Sequence, residues 1–308
     1  MPLAMTDQEL AEFKGYVYGL TGIQLDASKK YLLETRLQDI ATELGQVSYR
    51  EILGRARSDP RIERRVVDAV STNETFFFRD RKYFDLVKFK LLPELFGDNL
   101  KRPLTIWSAA SSTGQEAYSL AMLLKELLFD LGQCRVRILG TDVSEAAINA
   151  ANKGDFTSFD IQRGLTETEV SKYFKKVGDR FRIQDELRAI CRFQTDNLLG
   201  ARPPFPGRCE IVLLRNVLIY FSEADRKRVI ERILKILAPD GFLIVGSAEA
   251  ILGLTDRLTR EEFRGAVYYR VRGEAFTAVP PPDRGSGSFK DETRREMREK
   301  RWDEGSDS

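Results

Sequence analysis

Beginning at Leu104, short apolar runs rich in β-branched residues alternate with amphipathic stretches, and few architectures accommodate that rhythm. The runs are LTIWSA from Leu104, RVRILGTD from Arg135, EIVLLRN from Glu210 and FLIVGS from Phe242. Between them lie segments such as the one carrying Ile230, Ile233, Leu234 and Leu237, spaced for one face of a helix. A near-continuous apolar strand is one covered on both faces. The pattern therefore predicts βαβ units and a mostly parallel sheet between helical layers, an α/β, Rossmann-like fold. Residues 154–195 interrupt the alternation. They are polar and broken by Gly164 and Gly178, and a hairpin around FRIQDELRAICRF, from Phe181, marks an inserted small β subdomain.

The first seventy residues follow a different period. Leu10, Phe13, Val17 and Leu20 recur at helical spacing behind Thr6 and Glu9, which have the spacing of a capping box. Leu33, Leu37, Ile40 and Leu44 form a second stripe that stops at Gly45, and Ile62, Val66 and Val70 form a third after Pro60. A small all-α domain is expected there. From Gly273 the chain turns to Pro280-Pro281-Pro282, a Gly/Ser stretch and a mixed-charge run. This reads as a disordered tail in which Thr293–Trp302 has the composition for a transient helix.

Composition excludes several chemistries. The chain has 308 residues and no histidine, which removes Ser-His-Asp and Cys-His catalysis. Only Cys134, Cys191 and Cys209 remain as soft ligands, without metal spacing, so no metal site is expected. Each sits at or near the start of a hydrophobic run, which suggests buried free thiols and a reducing cytoplasm. Formal net charge is only +2, and no basic patch with interleaved aromatics is visible, so nucleic acid is not an expected partner. No run approaches the roughly 20 apolar residues of a membrane span, and no signal-peptide pattern opens the chain.

Ligands of an open α/β sheet bind at the carboxyl ends of its strands, so the loops after the apolar runs are the ones to inspect. The first is SAASSTGQEAYS, Ser108 to Ser119, whose small residues and Gly114 would let backbone approach a ligand. The same residues also suit a plain strand-to-helix turn with a solvated Glu116 favoured by the helix dipole. Asp142, ending GTD, fits either a ribose diol or the N-cap of the following helix. Further polar groups follow in Asp196-Asn197-Leu198-Leu199 and from Arg215 to Phe221. Upstream, TNETFFFRD (Thr72 to Asp80) is either a buried interdomain linker or an aromatic and cationic wall against a cofactor.

In this order, TNETFFFRD, WSAASSTGQEAYSLAM (Trp107 to Met122), GTDVS (Gly140 to Ser144), DNLL (Asp196 to Leu199) and LRNVLIYF (Leu214 to Phe221) resemble the CheR-type chemotaxis receptor methyltransferases. The likeness covers about residues 6–272. It implies a class I S-adenosylmethionine-dependent methyltransferase fold, with a helical domain at 1–72 and a linker at 73–103 contributing to the cofactor site. The methyltransferase domain would span 104–272, with the insert at 154–195 and the tail at 273–308. It further implies transfer of a methyl group to glutamate side chains of a chemoreceptor's cytoplasmic helical domain, leaving S-adenosylhomocysteine. By the same resemblance, Asn73, Thr75 and Arg79 would lie along the methionine part of the cofactor and Glu116 would meet its amino group. Asp142 would take the ribose hydroxyls, and Asn197 and Leu198 would flank the adenine. Arg215 and Asn216 would complete the pocket, with Tyr220 beside the methyl; Arg79 and Tyr220 are the catalytic candidates. A cytoplasmic monomer is expected. Such chemistry suits a chain without histidine, because a glutamate with a pKa near 4.3 is already ionised at neutral pH and needs no general base.

Several positions depart from the family. Gln115 replaces a usual glutamate, Ala117 a proline, Leu214 a cysteine, and Ser247-Ala248-Glu249 a His-Ser-Glu pattern; none of these is expected to carry chemistry. The second N-terminal helix keeps Lys29, Lys30 and Arg36 but continues as QDIATE, with acids in place of bases. The insert offers KKVGDRF, Lys175 to Phe181, in place of a Gly-x-Gly loop, so no tethering to a receptor pentapeptide is expected. Two other readings stand beside this one: the same chemistry on a protein outside chemotaxis, and a non-catalytic adaptor that binds the cofactor or its product.

Overall fold

A computed structural model describes residues 4–26, 30–45, 47–97, 102–128 and 135–272. The expectations for Lys29, Cys134 and the tail from Gly273 lie outside the described residues. Four helices open the chain: α1 (Asp7–Thr21), α2 (Lys30–Glu43), α3 (Tyr49–Ser58) and α4 (Pro60–Val70). Each apolar stripe turns inward, Phe13, Val17, Leu37, Ile52 and Val66 forming one buried cluster. Thr6 and Glu9 close the capping box on α1, and Gly22 ends that helix in the left-handed conformation.

Segment 72–80 then leads into α5 (Lys82–Leu86), a π-helical turn (Val87–Leu91) and α6 (Leu92–Phe96). The α/β layer follows as β1 (Leu104–Ala109), α7 (Gln115–Leu127), β2 (Val136–Asp142) and α8 (Glu145–Lys153). Next come β3 (Asp155–Phe156), α9 (Ser158–Gln162), α10 (Glu167–Tyr173), β4 (Phe174–Val177), β5 (Arg180–Ile183), α11 (Asp185–Ala189) and β6 (Cys191–Thr195). The chain closes with β7 (Cys209–Leu214), a 3-10 turn (Leu218–Tyr220), α12 (Glu223–Ile236), β8 (Leu237–Val245), β9 (Leu258–Phe263) and β10 (Ala266–Val271).

The seven-stranded sheet runs β6-β2-β1-β7-β8-β10-β9. Its first five strands are parallel, and β10 runs antiparallel between β8 and β9. Alternate residues feed two cores: Ile106, Ile211 and Phe242 face one, Trp107, Val212 and Leu243 the other. Each such side chain contributes about 1.5–3 kcal/mol on burial, which is why the four runs read as continuous apolar sequence. The chain winds outward from β1 through β2 to β6, then crosses back to β7 on the other side of β1, and the switch between β1 and β7 opens the crevice in which the site lies.

The insert differs from the sequence expectation in one respect. Its three-stranded sheet, ordered β3-β5-β4, contains the hairpin 174–183, while the proposed hairpin at FRIQDELRAICRF does not form. Helix α11 intervenes, and Cys191–Thr195 pairs in parallel with β2 as the edge of the main sheet. Short β-rich runs either side of a single helical turn look alike in sequence; the partner strand decides which sheet receives each. Cys191 and Cys209 are buried free thiols, and burial pushes both thiol pKa values up.

Candidate functional site

One cavity at the carboxyl ends of β1, β2, β6 and β7 is lined by all ten nominated residues: Asn73, Thr75, Arg79, Glu116, Asp142, Asn197, Leu198, Arg215, Asn216 and Tyr220. Thr21, Ile23 and Ser71 of the helical domain complete its wall. Local backbone explains the convergence. Within the loop after β1, Ala110, Ser112 and Gly114 all have positive φ, 63°, 50° and 95°, a strained path that turns successive groups toward one side. Ser112 donates its amide to Asp142 Oδ2 at 2.9 Å and its hydroxyl to the Asn73 carbonyl at 3.0 Å, which ties three of the sequence motifs together. A side chain at Gly114 would also come within 3.0 Å of Ala151.

Asp142 is 8% exposed, and its second oxygen accepts the Ser144 amide at 3.0 Å. Helix α8 takes its cap from Ser144, whose hydroxyl accepts from Ala147, so the N-cap alternative for Asp142 falls away. Burial holds the Asp142 carboxyl above the usual carboxylate range, against the lowering effect of its amide partners.

Glu116 is not solvated. Its carboxylate accepts from Ser108 Oγ at 2.7 Å and from Arg215 Nη1 at 2.8 Å. Arg215, only 6% exposed, also donates to the Arg79 carbonyl at 2.7 Å and Asp80 at 2.9 Å, and lies 4.7 Å from the centre of the Tyr83 ring. Two carboxylates, Glu116 and Asp80, share this one guanidinium, so the trio carries a net negative charge, and Glu116 is the acid of the three that lines the cavity. Arg79 donates to the Glu74 carbonyl and stacks near Phe76. Asn197 commits its side chain elsewhere, donating to the Leu20 carbonyl of α1 at 2.7 Å and accepting from Leu199 N. The Tyr220 side chain is half-buried, and its hydroxyl bonds to no other described residue.

The three phenylalanines go to different places. Phe77 is fully buried against Phe156 and Phe174 of the insert, at 4.9 and 5.5 Å between ring centres. Phe76 lines the cavity and Phe78 packs on Phe84. Positive φ at Phe78 and Asp80 lets the chain turn between them.

Sequence reasoning passed over four supporting side chains. Asp80 and Tyr83 hold Arg215; Arg232 makes a two-bond pair with Asp196 at 2.7 and 2.8 Å, fixing the loop after β6. Glu249, set aside as carrying no chemistry, accepts four backbone amides from the loops after β7 and β8. An isolated acid on a short turn between apolar runs gives no periodic signal.

The residues fit a nucleoside with a cationic amino-acid arm. Ser111 Oγ is buried on the cavity wall without a hydrogen-bond partner, and the Asp142 carboxylate lines the same cavity. A cavity of this make at the switch point of a seven-stranded sheet with one antiparallel strand inserted near its edge defines the class I S-adenosylmethionine-dependent methyltransferases. Within that class, the family description "CheR methyltransferase, SAM binding domain" matches residues 73–267, and "CheR methyltransferase, all-alpha domain" matches residues 8–71. The chain belongs to the CheR methyltransferase family, and its cofactor is S-adenosylmethionine. It is 34% identical to a chemotaxis protein methyltransferase of Pseudomonas putida over 86% of this chain and 98% of that one. It is 35% identical to chemotaxis protein methyltransferase 1 of Pseudomonas aeruginosa, over 88% and 100%. It is 34% identical to chemotaxis protein methyltransferase 1 of Vibrio cholerae, over 88% and 99%.

Proposed function

We propose that this chain methylates glutamate side-chain carboxylates of chemoreceptors, forming glutamate methyl esters and S-adenosylhomocysteine, without a pentapeptide tether. The observation that carries the reading is the convergence of five separated motifs on one cavity, whose lining includes both a buried carboxylate, Asp142, and a half-buried tyrosine, Tyr220. The names of the relatives support a chemotaxis substrate. Bound S-adenosylmethionine supplies a methyl group made electrophilic by its sulfonium. The chain's own groups then have to bind, aim and exclude water. Asp142 and Ser111 hold the sugar, and Glu116 receives the ammonium of the methionine arm. Arg79 at the mouth meets the incoming carboxylate, which arrives ionised, and the Tyr220 hydroxyl orients it for in-line approach at about 3–3.5 Å. No proton has to be removed by the protein.

The turn between β4 and β5 carries a single glycine, Gly178, which supports the tether-free reading. One observation favours a substrate protein outside chemotaxis instead. Lys30 is paired with Asp7, Arg36 donates to the carbonyls of Val70 and Ser71, and the exposed positions of α2 are Tyr31, Thr35, Asp39, Thr42 and Glu43. That face attracts an acidic helix weakly.

Calorimetric titration with S-adenosylhomocysteine tests the cofactor site. Transfer of labelled methyl from S-adenosylmethionine into receptor cytoplasmic domains, read as base-labile methyl released as methanol, tests the substrate. Labelling of other proteins but no receptor would replace the chemotaxis reading with its rival, and no labelling at all would remove both.

A further inference from the structure

Between β8 and β9 the chain makes a turn, Gly246 to Glu249, closed by the Glu249 amide donating to the Gly246 carbonyl at 3.0 Å. The Glu249 side chain is 9% exposed and folds back under the loop that follows β7. Its Oε2 accepts from Asn216 N at 2.6 Å and Gly246 N at 2.8 Å; its Oε1 accepts from Val217 N at 2.8 Å and Leu218 N at 2.7 Å. Three successive amides pointing at one carboxylate require an unusual backbone, and Asn216 supplies it with φ of 59°. A methyl group at Gly246 would stand 2.5 Å from Glu249 Oε2, so this turn accepts the carboxylate only because residue 246 lacks a side chain.

The chain beyond the three amides is built on them. Tyr220 N donates to the Val217 carbonyl and Phe221 N to the Leu218 carbonyl, so the 3-10 turn that carries Tyr220 starts from the segment Glu249 holds. Asn216, Val217, Ile219 and Tyr220 all line the cavity, whereas Glu249 does not. Next to it, Ser247 Oγ lies 3.3 Å from the Tyr83 hydroxyl, whose ring supports Arg215. The same short turn thus braces both sides of the reactive end.

We propose that Glu249 is a positioning residue for methyl transfer, fixing the left-handed turn at Asn216 and through it the placement of Tyr220. The proposal rests on the methyltransferase reading given above. A glutamine at 249 has one oxygen and one NH2 group, so two of the four amides would face a donor in place of an acceptor. Asp142, Ser111 and Glu116 sit on other loops and are untouched by the change.

The test uses the full chain with Glu249→Gln, with Val229→Ala, a core change in α12, as the control for lost stability. Amide exchange at 216–218 is expected to quicken about 10- to 100-fold in Glu249→Gln and to stay unchanged in the control. In the same variant kcat should fall about 30-fold or more, since displacement of an aligning group by an ångström is enough for that. Affinity for S-adenosylhomocysteine should change by less than about tenfold, because most of the nucleoside contacts remain. If Glu249→Gln does not fold, Glu249→Asp, whose carboxylate is one methylene short, is read the same way. Unchanged exchange at 216–218, or an equal loss of kcat in Val229→Ala, overturns the proposal. A wild-type chain that binds no S-adenosylhomocysteine instead sinks the methyltransferase reading, and the exchange result then judges the clamp by itself.

Discussion

Replacing Asp142 by asparagine separates a sugar-binding carboxylate from a loop-holding one. In the wild type Oδ2 accepts from Ser112 N and Oδ1 from Ser144 N, with Val143 N also bonding to the carboxylate, and the remaining acceptor capacity is assigned to the ribose hydroxyls. Hydrogen bonds to a charged acceptor are worth about 1.5–3 kcal/mol each, and an asparagine retains one neutral bond of about 1 kcal/mol. The binding loss is therefore about 2–5 kcal/mol, a Kd for S-adenosylhomocysteine raised about 30- to 5,000-fold. Folding suffers separately, by about 1–3 kcal/mol, because one loop amide now faces an NH2 group. Calorimetry with the 2′,3′-dideoxy analogue of the product distinguishes the two effects. If the carboxylate reads the diol, the mutation changes analogue binding little, and the two losses are strongly non-additive. The pH dependence has a definite sign. Burial raises the Asp142 pKa, and binding favours the ionised form, so affinity declines as pH falls through that raised value, earlier than for an ordinary aspartate. A Kd for Asp142→Asn within threefold of wild type, or an equal penalty with the dideoxy analogue, refutes the assignment.

Tyr220→Phe should lower kcat while leaving product affinity nearly unchanged by calorimetry; a collapse of cofactor binding would show the hydroxyl to be a ligand and not an aligning group. Arg215→Met leaves Glu116 and Asp80 without their shared cation, and urea unfolding should show a loss of about 3–5 kcal/mol, partly recovered in Arg215→Met/Glu116→Gln. A loss below 1 kcal/mol would mean the pair contributes nothing net. Gly164→Ala forces a methyl group to 1.9 Å from the Phe77 carbonyl at φ +95°, and should cost more than about 1 kcal/mol in the same assay. Wild-type stability in that variant would contradict the close approach of the insert to segment 72–80.

The four strands read from sequence were legible because both their faces are largely buried, so apolar residues dominate each run even where Thr105 or the exposed Arg137 interrupts it. Strand β6 was harder. CRFQT lies at the sheet edge with Cys191 the only buried residue, so its run is short and its polar positions resemble the insert beside it. The candidate site was legible where it is made of side chains in ordered motifs, as at Asp142 and Arg215. It was illegible where side chains act on backbone: Glu249 grips amides whose sequence is irrelevant to it, and Asn197 reaches a carbonyl of a helix far away in the chain. For Glu116 the loop alone left a solvated first-turn acid open, because the dipole argument sees its own helix and not the guanidinium arriving after β7.

One wall of the cavity belongs to the helical domain. Gln24 donates its amide to the Tyr220 carbonyl, Asn197 donates to the Leu20 carbonyl, and Thr21 and Ile23 face the interior. Filling the cavity and seating the end of α1 are therefore one equilibrium viewed from two places. A partner that tugs at α1 loosens the product by the same factor by which the product resists the tug, whatever the partner is. Amide exchange over residues 18–24 should slow when S-adenosylhomocysteine is added, and indifference of those amides would mean the two halves turn over independently.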